Sequence, residues 1–120
     1  MTRLPKCAWV ALPLLAACAS TPKPTERMAS TQSAIREATE VGADRVPEAQ
    51  LHVKLAQEQV QKAKELMDKG DNQRADLMLQ RASADAELGI ALTREQATKE
   101  QAQRVLWQTR ELQQQQNPNK

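Results

Sequence analysis

The chain has 120 residues, two Trp and no Phe or Tyr, with 27% charged residues and a formal net charge of +2. Ala, Glu, Lys, Leu, Arg and Gln dominate, which is the composition of long helices or coiled coils, and strand-forming residues are too sparse to build a sheet. Three glycines and one histidine exclude a glycine-rich phosphate loop and a multi-histidine metal site.

Residues 1–17 have the parts of a secretory signal: a basic start with Arg3 and Lys6, an apolar run from Cys7 to Ala17, and small residues before a cut site. Pro13 interrupts the run, which is shorter than the roughly 20 apolar residues a bilayer-crossing helix needs. The stretch Leu15-Ala16-Ala17-Cys18 resembles the lipobox of bacterial lipoproteins. That resemblance implies cleavage between Ala17 and Cys18, a diacylglyceryl group on the Cys18 sulfur, and acylation of the new amino group. Two or three acyl chains hold a protein on a membrane where one is marginal. A membrane is thus the first expected partner, reached through the lipid anchor. Ala19 follows the cysteine in place of the Asp that retains enteric lipoproteins, so the expected location is the outer membrane, facing the periplasm.

Loss of Arg3 and Lys6 lowers the Lys plus Arg count from 17 to 15 against 15 Asp plus Glu, a net charge of zero. The pI near 8.7 therefore gives no reason to expect a nucleic-acid partner. Cys7 leaves with the signal and Cys18 is consumed by lipid, so no disulfide forms within the mature chain.

Residues 18–27, with Pro22, Pro24 and mostly small or polar neighbours, read as the lipidated cysteine and a flexible tether. A helical domain is expected over 28–116. Its first helix, about 30–41, puts Ala34, Ile35 and Ala38 on one face and ends at Gly42. Pro47 suits the first turn of a second helix, 47–69. Gly70 can take the left-handed cap, and Asp71 or Asn72 can cap a third helix over 72–115. Residues 117–120 end a low-complexity stretch, "QQQQNPNK", and are expected to be disordered.

Ala49, Val53, Ala56, Val60, Ala63 and Met67 recur at alternating spacings of four and three, and so do Ala75, Leu79, Ala82, Ala86, Gly89 and Thr93. Each series has a small residue every seventh position: Ala49, Ala56, Ala63 on one helix and Ala75, Ala82, Gly89 on the other. Small side chains let two backbones approach to about the 8 Å lower end of interaxial distances. These patterns give an all-α fold: an antiparallel helical hairpin with a short additional N-terminal helix and a long overhanging C-terminal helix.

The arrangement Ala34, Ala38, Gly42-Ala43, Pro47-Glu48, Ala56, Ala63 and Gly70-Asp71, followed by "RADLMLQRASADAELGIA", resembles the domain of unknown function family 4398 over about residues 30–95. The resemblance implies an alanine-rich helical envelope lipoprotein with no assigned catalytic residues.

No catalytic, metal or cofactor site emerges from the residues, and no small-molecule substrate is expected. His52 lies off the second-helix seam and reads as solvated. The acidic residues Asp68, Asp71 and Asp76 miss the ligand spacing of a calcium loop, and Asp85 and Glu87 face different sides of a helix. The third helix should reach about 66 Å and the second about 35 Å at 1.5 Å per residue. Residues from Glu95 onward therefore overhang, pointing away from a membrane-side Gly70 turn. That overhang has its own stripe, Thr98, Ala102, Val105, Thr109 and Leu112, flanked by Leu106 and Trp107. Ala102, Val105, Leu106, Trp107 and Leu112 are the expected partner surface, for a second copy or an envelope protein. The resulting expectation is a non-enzymatic structural or adaptor lipoprotein. An alternative is a cell-wall tether resembling murein lipoprotein, joined to peptidoglycan through Lys120.

Overall fold

The computed structural model describes residues 21–116. The expectations for the signal, for Ala17 and Cys18, and for the tail with Lys120 lie outside the described residues. In chain order the elements are α1 (Thr25–Glu40), a 3-10 turn (Ala43–Arg45), α2 (Pro47–Asp68) and α3 (Asn72–Gln116). The fold is all-α, with no strand among the described residues. Helices α2 and α3 form the antiparallel hairpin, α1 lies along it chiefly against α3, and α3 continues past both.

Helix α1 starts earlier than the tether reading allowed, so residues 25–27 are helical. Pro24 explains the difference. Its φ of −80° is already close to helical and its carbonyl accepts the Met28 N–H at 3.0 Å, closing the first turn. The proline read as part of the tether caps the start of the helix. Ser30 is an interior residue, its hydroxyl donating to the Arg27 carbonyl at 3.0 Å.

The α2–α3 turn is closed by hydrogen bonds that satisfy the last α2 carbonyls. Gly70, with φ of +77°, donates to Met67 O at 3.1 Å, and Asp71 donates to Leu66 O at 2.9 Å. The Asp71 carboxylate then accepts the Arg74 N–H at 3.2 Å, capping α3. The Arg74 guanidinium beside it holds the Asp71 carboxyl below the usual range. One residue further on, Asn72 Nδ2 donates to Thr21 O at 2.6 Å, which fixes the start of the described chain at this turn.

Ala49, Ala56, Ala63, Ala75 and Ala82 are wholly buried, Gly89 is buried, and Met67 is half-buried. The helices are close at Gly89, where an added Cβ would lie 3.0 Å from Val53 Cγ2 and 3.2 Å from the Ala49 carbonyl oxygen. Leu79 is the largest wholly buried side chain. Above it Thr31, which the sequence patterns missed, is buried and donates to Leu79 O at 3.4 Å. Ion pairs tie α1 to α3 at both ends: Arg27 with Asp76, and Arg94 with Glu37 at 2.9 Å.

Two outcomes follow from this packing. Ala82→Leu adds volume where the backbones are close and should cost about 1–3 kcal/mol, whereas Ala97→Leu, on the exposed overhang, should shift stability by about 0.5 kcal/mol or less. Thermal melting of the two variants checks the contrast. Separately, the Arg27 guanidinium holds the Asp76 carboxyl below the usual range. A depressed carboxyl contributes stability above its unfolded pKa and loses it as pH falls through the folded one. Acid should therefore loosen α1, with faster amide exchange around Thr31, and Arg27→Ala should flatten that acid limb.

Candidate functional site

The last buried residue of α3 is Thr93, 7% exposed, and every residue from Arg94 to Gln116 is exposed. No other described residue covers the segment beyond Arg94, so its helical form draws on local pairs. Lys99 Nζ lies 2.6 Å from Glu95 Oε1 and holds the Glu95 carboxyl below the usual range. Gln96 donates to Glu100 at 3.0 Å. Thr98 and Thr109 turn their hydroxyls back onto the Arg94 and Val105 carbonyls, each at 2.9 Å. Their polar atoms are thereby satisfied within the helix, and the two threonines join Ala102, Val105 and Leu112 in one stripe.

At about 100° per residue, Leu106 borders this stripe, but Trp107 stands roughly opposite Thr109. Trp107 is 73% exposed and lines a shallow surface depression with Glu100, Gln103 and Arg104. The expected partner surface thus divides in two: Ala102, Val105, Leu106 and Leu112 share a face, and Trp107 lies behind them. Sequence grouping failed here because chain neighbours on a helix point to different sides.

His52 is not solvated. Its side chain is 22% exposed, and Nδ1 lies 2.9 Å from Asp85 Oδ1 across the α2–α3 interface. Gln59 Nε2 donates to the other Asp85 oxygen at 2.6 Å, while the buried Gln59 Oε1 has no partner. One carboxylate on α3 thus holds two residues of α2 seven positions apart, which fixes the register of the hairpin from its flank. The signal was present in the heptads: His52 and Gln59 each precede a seam valine, so both border the interface on one side. Among the described residues the histidine bonds to Asp85 and to no hydroxyl or thiol. No cluster of His, Cys, Asp or Glu able to hold a metal occurs among the described residues. None of their helices is long and apolar enough to cross a membrane.

Asp85→Ala strands the buried Gln59 amide and the His52 ring and should cost about 1–3 kcal/mol. Asp44→Ala, at an exposed carboxylate in the α1–α2 turn, should cost little. Denaturant unfolding of the two variants makes the comparison.

No curated protein and no solved structure matches the chain. Residues 26–105 match the family described as a domain of unknown function (DUF4398). That span takes in α1, the hairpin and the overhang as far as Val105, and on it the chain belongs to the DUF4398 family.

Proposed function

We propose that this protein is an envelope lipoprotein, anchored through acyl chains on Cys18, that works as a non-enzymatic helical adaptor and presents the distal part of α3 to a partner helix. The observation that carries the reading is the exposed stripe of Val105, Leu106 and Leu112 on a helix extended beyond its own bundle. An isolated helix is marginal in water without tertiary support, and an apolar face on such a helix is the form in which amphipathic helices enter grooves. The 45-residue α3, about 67 Å long at 1.5 Å per residue, gives the stripe reach. The lipobox at Leu15-Ala16-Ala17-Cys18 supports the anchor, and the bond from Asn72 to Thr21, which holds the start of the described chain beside the Gly70 turn, supports a membrane-side position for that turn.

Two variants test the two halves of this reading. Cys18→Ser removes the sulfur that would accept lipid, so fatty-acid labelling should vanish and the protein should leave the membrane fraction; unchanged labelling ends the lipoprotein reading. Val105→Glu with Leu112→Glu charges the stripe without touching the hairpin. Stability should shift by about 0.5 kcal/mol or less, because both positions lie on exposed surface, and capture of the partner from solubilised membranes should be lost. Unfolding of the whole domain, or undiminished capture, would remove the stripe as the docking face.

A further inference from the structure

The stripe on the overhang does not begin there. Its four-three rhythm continues backward without a break through Glu95, Ala91, Leu88, Ala84, Arg81 and Leu77. These residues lie on the side of α3 turned away from α2: Ala91 is two positions past the seam residue Gly89, about 160° round the helix at 3.6 residues per turn. All are exposed, Leu77 at 51% and Leu88 at 42%. Helix α3 therefore carries two heptad seams on opposite faces, one filled by its own chain and one open.

From Leu77 to Ala102 the open seam holds two charged residues, Arg81 and Glu95, of opposite sign and symmetric about Leu88. A second copy laid parallel would bring Arg81 onto Arg81 and Glu95 onto Glu95. Laid antiparallel, with Leu88 of each copy beside Ala91 of the other, it brings each Arg81 within one turn of Glu95 of the second copy. The same register sets Leu77 beside Ala102 and, along the flank, Glu87 beside Arg94. The Arg94 side chain is 65% exposed while bonded to Glu37, which leaves guanidinium donors for that contact. Like charges reject the parallel pair and opposite charges favour the antiparallel one.

We propose that this outer face binds a second copy of the chain, antiparallel, in the register that pairs Arg81 with Glu95. The pairing goes beyond the adaptor reading: its seam residues run from Leu77 to Ala102, Ala102 alone among them belongs also to the distal stripe, and Leu112 lies past the start of the second copy's α3 and stays free for a partner.

The test uses the full chain in cells, with Leu88 replaced by a benzophenone-bearing phenylalanine analogue and illuminated. A cross-linked product of twice the chain mass is expected. Arg81→Glu sets carboxylate against carboxylate and should cut the yield about tenfold, because like charges brought together across an interface are strongly unfavourable. Adding Glu95→Arg should restore it. Arg81 and Glu95 are exposed, and helix content by circular dichroism should be unchanged in both variants. No dimer product, a product of some other mass alone, a yield indifferent to Arg81→Glu, or failure of the double exchange to restore it would each overturn the proposal. The adaptor reading survives all of these outcomes, since it depends on Val105 and Leu112.

Discussion

The close approach of α2 and α3 is the constraint on which the rest of the structure depends. Alanine at every seventh position gives each helix a flat seam, and Gly89 lets the backbones meet where α2 begins. Each buried alanine removes little apolar area from water, about one methyl's worth at roughly 25 cal/mol per Å². The seam therefore relies on many close contacts, with Val53, Leu79, Val60 and Ile90 supplying the larger side chains. A seam of this kind tolerates neither bulk nor slippage. The Gly70 turn and the Asp85 carboxylate set the register from one end and from the flank.

Helix α1 packs against that pair. It covers the groove on one side with Ile35 and Ala38 and is held by ion pairs at its two ends. Its packing stops where the hairpin stops. Beyond Thr93 the inner phase continues as Gln96, Glu100, Gln103, Trp107 and Arg110, residues that could not line an alanine seam. From that point only the outer face stays apolar, and α3 changes from a member of a bundle to a free rod.

The hairpin was legible because period and punctuation agreed. Seam alanines at seven-residue spacing, Pro47 at a helix start and Gly70 at a helix end all specify the same register. Helix α1 was harder to bound, since Pro24 suits both a linker and a first turn, and only the Met28 hydrogen bond distinguishes them. Thr31 and His52 escaped because polar residues on a helix flank are ordinarily solvated. Their partners, Leu79 O and Asp85, come from another helix more than thirty positions away. The exposed apolar stripe was legible as composition, but the place of Trp107 beside it was not: that follows from angle and not from nearness in the chain.

The bond between Asn72 and Thr21 shortens the leash on the whole molecule. With Cys18 acylated as proposed, only Ala19 and Ser20 lie between the lipidated cysteine and a point fixed on the bundle, a span of at most about 10 Å over three steps of 3.3–3.6 Å. The Gly70 turn then rides at the headgroups, and encounters between copies become a two-dimensional search along the leaflet. In the antiparallel pair the two turns are about 58 Å apart at 1.5 Å rise per residue. Leashes that short reach one leaflet only when the pair reclines on it. A solitary copy is free to stand, so pairing would convert an upright post into a beam laid across the membrane surface.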